Sequence, residues 1–143
     1  MRTISSDRSA GSEAPPSKLS DLVALGKPSV TGMNVLMVLG GMALAGGTLQ
    51  PHVVVFAMLG TALAVASANA LNMVIEREGD KLMARTASRP LPQGRLSVGA
   101  ALAFGLGCGL LSVVFLAGVN RATLGLGIFA LLAYVLVYTP LKR

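Results

Sequence analysis

Four apolar runs of roughly 20 residues dominate the chain, and that is the length at which a helix crosses a bilayer. They are expected as spans at about 28–49, 53–75, 96–119 and 122–140, in an all-α membrane protein with four transmembrane helices. Hydrophobic residues make up 53% of the 143 and charged residues only 13%, more apolar sequence than a soluble domain of this size needs. Residues 1–17 (MRTISSDRSAGSEAPPS) are small, polar and mixed in charge, and read as a disordered tail. That tail lacks an apolar core, so no cleavable signal peptide is expected. Residues 18–143 then read as one membrane domain. It opens with a short interfacial helix over 17–26, where Leu19, Leu22, Val23 and Leu25 fall near helical spacing. Pro28 starts the first span, a position that tolerates proline, and Gly40-Gly41 and Gly46-Gly47 offer it close-approach surfaces.

The basic residues set the orientation. Eleven of the twelve Lys and Arg lie before the first span, in the loop between the second and third spans, and in the terminal Lys142-Arg143. The other two turns hold only Arg121. By the positive-inside rule both termini and the central loop of this multi-pass protein face the cytoplasm; the membrane expected is the plasma (inner) membrane. A net charge of +6 would point to nucleic acid in a soluble chain. Here it is spent on flanking spans, so the expected surroundings are the lipid bilayer and no nucleic-acid partner is expected. Tyr134 and Tyr138 fall in the last third of the fourth span, where aromatic belts occur. The single cysteine, Cys108, excludes an internal disulfide and reads as packing. The single histidine, His52, reads as a turn residue.

Between the second and third spans lies residues 72–95, NMVIEREGDKLMARTASRPLPQGR. Asn72, Glu76 and Asp80 repeat every four residues, so on a helix they share one face with Asn69 one turn earlier. Glu78 lies off that face and joins the same centre only if the helix unwinds at Gly79. Ser67, Asn69 and Asn72, in the last turns of the second span, are expected to face a bundle interior or a wet cavity. Carboxylates this close repel unless something cationic sits among them. Oxygen ligands with no nearby His or Cys suit a hard ion such as magnesium. The cations that follow, Lys81, Arg85, Arg89 and Arg95, then suit a diphosphate.

As N-x-x-x-[DE]-x-[DE]-x-D followed by M-x-R-T-x-x-R-P-L-P-x-G, this stretch resembles the UbiA-type intramembrane prenyltransferases. Asn72, Glu76 and Asp80 fall on that superfamily's first metal-diphosphate motif, and Arg85-Thr86 with Arg89-Pro90-Leu91-Pro92 on its basic loop. Within it, the chain looks most like the subgroup that farnesylates protohaem IX, the haem o synthases. Glu78 supplies a middle carboxylate where quinone-type members usually have a neutral or basic residue, and Met73 stands where they commonly have Asp. The stretches LGKPSVT and YTPLKR also resemble that subgroup's first- and fourth-span signatures.

The resemblance implies magnesium held by Asn72, Glu76 and Asp80, with Glu78 in the same catalytic set. It implies a farnesyl diphosphate neutralised by Lys81, Arg85 and Arg89, and haem b as acceptor through a vinyl group. It also implies a bundle of about nine spans with a second Asp-rich motif, of which four spans are here. The expectation is therefore the N-terminal half of an enzyme, as a fragment or with a partner chain supplying the rest. Two other readings stand beside it: a prenyltransferase with an aromatic acceptor such as 4-hydroxybenzoate, and a non-catalytic four-span or cation-binding protein. For the acidic residues the plainer alternative is a solvated loop paired with Arg77 and Lys81, and for the arginines membrane anchoring by snorkelling. No charged residue falls near the middle of a span, which counts against a cation carrier.

Overall fold

The computed structural model describes residues 17–46 and 48–141. The expected disordered tail lies outside them apart from Ser17, as do Gly47 and Lys142-Arg143. Helix α1 (Lys18–Leu25) is capped by Ser17, whose side chain accepts from the Ser20 amide at 3.2 Å. Lys27, in the left-handed region at φ 46°, breaks the chain before α2 (Pro28–Ala45), with Pro28 in the first turn as expected. Helix α3 runs from Pro51 to Leu82, α4 from Val98 to Ala117 and α5 from Arg121 to Leu132. The fourth span continues as a π-helical segment, Ala133–Tyr138, and a last turn, α6 (Thr139–Leu141). Four helical stretches are long and apolar enough to cross a membrane: Pro28–Ala45, Pro51–Leu82, Val98–Ala117 and Arg121–Leu141.

Several boundaries differ from those expected. The first helix stops at Ala45, not 49, because Gly46 turns out of the helix at φ 69°. The second runs seven residues past the expected 75, through EREGDKL to Leu82. Hydropathy ends at Ile75, but Glu, Arg and Lys are good helix formers and keep the backbone helical through Gly79. His52 is therefore an exposed residue in the first turn of α3.

Helix α3 is the spine. It packs most extensively against α4, then α2, and also touches α1, α5 and the end of the fourth span. Leu116 of α4 is 3% exposed and keys between Gly60 of α3 and Gly127 of α5. A Cβ on Gly60 would lie 2.7 Å from Leu116, so the close approach needs glycine there. The glycines expected to serve this purpose, Gly40 and Gly41, face open space instead. Towards the loop end, Leu25, Ala70, Met73, Leu91, Leu96 and Ala101 form a buried cluster that joins α1, α3, the loop and α4. Helices α2 and α5 bury none of their residues.

Candidate functional site

At 1.5 Å per residue the 32 residues of α3 extend about 48 Å, well beyond a hydrocarbon core of about 30 Å. The polar turns at its C-terminal end therefore need not lie in lipid. Ser67, Asn69 and Asn72 are all buried, as a helix face turned to the bundle interior requires. Asn69 donates from Nδ2 to the Gly26 carbonyl at 3.5 Å, tying α3 to the break between α1 and α2. One turn on, Asn72 donates from Nδ2 to Glu76 Oε2 at 3.1 Å. Its Oδ1 lies 2.8 Å from the hydroxyl of Thr139, from the far end of the fourth span.

Asp80, one further turn along the same face, is buried. Its Oδ2 accepts from Arg89 Nη1 at 2.6 Å, and both side chains are largely withdrawn from water. The loop fold makes this pair possible. The Thr86 hydroxyl lies 3.0 Å from the Asp80 carbonyl and 3.4 Å from that of Met83, covering the open end of α3. Pro90 and Leu91 are buried beneath, and Gly94 at φ 72° turns the chain back so that the Arg95 amide bonds the Pro90 carbonyl at 3.0 Å. Arg89 is thereby folded over Asp80. Arg95 bonds the Ser88 carbonyl at 3.3 Å and pairs with buried Asp21 of α1 at 3.5 Å, fastening the interfacial helix to the loop.

The helix does not unwind at Gly79, and Glu78 stays off the Asn72–Glu76–Asp80 face. Glu78 is exposed and pairs with Lys81, whose Nζ lies 3.0 and 3.1 Å from its two oxygens, and with Arg77 at 3.5 Å. Arg85 is exposed on the loop. The structure thus brings together Asn72 with Glu76 and Asp80 with Arg89, and keeps Glu78 and Lys81 apart from them as a surface pair. Thr139 and Thr86 contact this site without having been singled out by charge or spacing. Thr86 lies in the RTxxRPLP stretch and Thr139 in YTPLKR, so the sequence held a pointer to each but not its contact.

Among the described residues no three His, Cys, Asp or Glu side chains gather as a metal cluster. Glu76 and Asp80 still make an all-oxygen pair on one helix face, with the Asn72 amide donating to the first of them. That set fits a magnesium ion arriving with a diphosphate, because magnesium takes one or two carboxylates and fills its other positions with water and phosphate oxygens. It does not fit a cage made by protein alone.

Towards the membrane interior, a cleft of about 490 Å³ opens between α2, α3 and α5, lined by Asn34, Thr61, Asn69, Thr123, Leu126 and Tyr134 among others. Asn69 is its end nearest the acidic face, about 10 Å along α3 from Glu76 at 1.5 Å per residue. A larger groove, about 1000 Å³, lies over Phe129, Leu132 and Tyr138 and opens outward with almost wholly apolar walls. It has none of the charged groups.

The described residues thus form a helix bundle of membrane-spanning length that carries polar groups of both signs at the C-terminal end of α3 and in the loop after it. The chain belongs to the UbiA prenyltransferase family, which it matches over residues 34–143. It is 44% identical over 134 residues to the protoheme IX farnesyltransferase of Myxococcus xanthus, covering 93% of this chain and 46% of that protein. To the protein of the same name from Sorangium cellulosum it is 53% identical over 105 residues, 73% of this chain and 38% of the relative. With that from Anaeromyxobacter dehalogenans it shares 39% over 142 residues, 99% of this chain and 48% of the relative. The chain spans about half the length of these curated relatives or less. No solved structure matches it.

Proposed function

We propose that this chain provides the diphosphate-binding half of an enzyme that transfers a farnesyl group from farnesyl diphosphate to a vinyl group of protohaem IX, giving haem o. The observation that carries the reading is the single polar face of α3, where Asn72, Glu76 and buried Asp80 stand one turn apart with Arg89 folded onto the last of them. The name shared by the relatives supports the acceptor and the prenyl length, and an all-oxygen donor set supports magnesium.

Glu76 and Asp80, helped by Asn72, would hold a divalent cation that, when bound, supplies the positive charge needed between carboxylates and a diphosphate. Arg89 changes partner from Asp80 to a diphosphate oxygen, and Lys81 and Arg85 stand on the exposed side to neutralise the remaining oxygens. As the allylic C–O bond breaks, the electron pair leaves with the diphosphate, and these cations stabilise the growing negative charge. The apolar cleft beside Asn69 receives the farnesyl chain and keeps water from the allylic carbon until the vinyl group attacks it. Water then adds to the cation left on the vinyl-derived carbon and loses a proton, giving the hydroxyethylfarnesyl side chain of haem o. Glu78 acts from outside this set, holding Lys81 at the loop surface. In this reading the catalytic loop lies on the cytoplasmic side of an inner membrane, which its basic residues support through the positive-inside rule.

The test is to co-express the chain with the C-terminal half of the Myxococcus xanthus relative and supply the membranes with haem b, farnesyl diphosphate and magnesium. Haem o is expected with both halves, and its formation is expected to fall by at least about 100-fold with Asp80→Asn, the scale of losing one transition-state electrostatic partner. Haem o formation indifferent to that substitution would overturn the assignment. Transfer to 4-hydroxybenzoate in place of haem would redirect it to an aromatic acceptor.

A further inference from the structure

We infer that Thr139 is a positioning residue, whose hydroxyl, aimed inward by the π-helical turn before it, fixes the Asn72 amide and through it the Glu76 carboxylate. Its use in diphosphate binding rests on the function proposed above; the contact itself does not.

The far end of the fourth span is turned outward. Leu136, Val137, Tyr138 and Leu141 are all at least half exposed, yet Thr139 among them is 0% exposed. In a membrane span apolar side chains turn to lipid and a polar one to the bundle interior. The backbone sets which residue takes the inward position. From Ala133 to Tyr138 it runs as a π-helix, and the Thr139 amide bonds the Tyr134 carbonyl five residues back. One extra residue in a turn rotates everything after it by about 100° relative to an uninterrupted α-helix. That rotation brings the residue at 139 to α3.

The hydroxyl of Thr139 lies 2.8 Å from Asn72 Oδ1 and 2.9 Å from the Tyr134 carbonyl. It has one proton. The Tyr134 carbonyl already accepts the Thr139 amide, whereas the amide oxygen of a buried asparagine needs a donor. The proton therefore belongs to Asn72. The orientation of that amide follows from its other end. Turned the opposite way, it would set Oδ1 against Glu76 Oε2, oxygen against carboxylate. With Thr139 donating to Oδ1, the amide nitrogen becomes a better donor, and Glu76 is held in one rotamer. The chain of contacts runs Thr139, Asn72, Glu76, and it ties the fourth span to the acidic face across 67 residues of sequence.

The experiment uses the full chain in lipid nanodiscs, as wild type and as Thr139→Ser, Thr139→Val, Asn72→Ala and the double variant Thr139→Val/Asn72→Ala. Two readouts are taken: the side-chain amide resonance of Asn72 by 15N NMR, and the affinity for farnesyl diphosphate with magnesium. Thr139→Val is expected to shift the Asn72 resonance, speed its hydrogen exchange and weaken binding by about five-fold, the scale of one lost hydrogen bond. Thr139→Ser, which keeps the hydroxyl, is expected to restore both. In the Asn72→Ala background Thr139→Val is expected to change affinity no further, which a general packing role would not produce. Should Thr139→Val lose the dispersed backbone spectrum of a folded chain, Thr139→Ala makes the same comparison. An Asn72 resonance indifferent to loss of the hydroxyl, or affinity losses that simply add in the double variant, overturns the inference. Wild type that fails to bind the diphosphate overturns the functional reading instead, and the NMR comparison still decides whether Thr139 holds Asn72.

Discussion

Arg89 and Asp80 meet at 2.6 Å with the aspartate side chain buried and that of the arginine about a quarter exposed. Removing the arginine alone strands a buried carboxylate, so Arg89→Ala is expected to destabilise the chain by about 1–3 kcal/mol, the range for an unsatisfied buried polar group. Melting curves of the detergent-solubilised chain check this, and the double variant Arg89→Ala/Asp80→Asn is expected to recover part of the loss. An Arg89→Ala melt equal to wild type would mean the pair contributes nothing. At this scale the acidic face was legible in the sequence. Four-residue spacing puts Asn72, Glu76 and Asp80 in line whatever the tertiary structure. Two facts were not legible. Arg89 meets Asp80 only because Thr86, Pro90 and Gly94 fold the loop back, and Glu78 keeps its distance because Gly79 stays helical. Both depend on which of two allowed backbones the loop takes, and charge spacing fits either.

Helix packing carries a prediction of its own. Gly60 and Gly32 are both mid-helix glycines, but a Cβ on the first meets Leu116 at 2.7 Å and on the second meets nothing within 4 Å. Gly60→Ala is therefore expected to destabilise by about 1–3 kcal/mol through overpacking. Gly32→Ala is expected to stabilise by up to about 1 kcal/mol through helix propensity. Opposite shifts in melting temperature check the pair, and equal shifts would contradict the packing of α4 against α3. The apolar runs announced the four long helices because hydropathy and span length act on each segment independently. Their ends were misplaced wherever hydropathy and helicity part company. Ile75 ends the apolar run but not α3, and α2 stops at Ala45, four residues before 49, where the apolar run ends. The π-helical turn at Ala133–Tyr138 carried no compositional sign, since AYVLVY is as apolar and helix-compatible as its neighbours.

Across the whole molecule, charge and apolar surface divide cleanly. The basic loop between α3 and α4 lies at one end, while α2 and α5 bury none of their residues and turn apolar side chains outward. The orientation proposed for this arrangement is testable in a Cys108→Ala background, with single cysteines at exposed Ala84 in the basic loop and exposed Gln50 in the opposite turn. A membrane-impermeant thiol reagent is expected to label Ala84→Cys only in inside-out vesicles and Gln50→Cys only in right-side-out ones. The reverse pattern would invert the topology. The most direct measurement is binding of farnesyl diphosphate to the full chain in nanodiscs, with and without magnesium, for wild type, Asp80→Asn and Cys108→Ala. Saturable, magnesium-dependent binding by wild type and Cys108→Ala, abolished by Asp80→Asn, is the predicted result. Equal binding by wild type and the Asp80 variant would contradict the site.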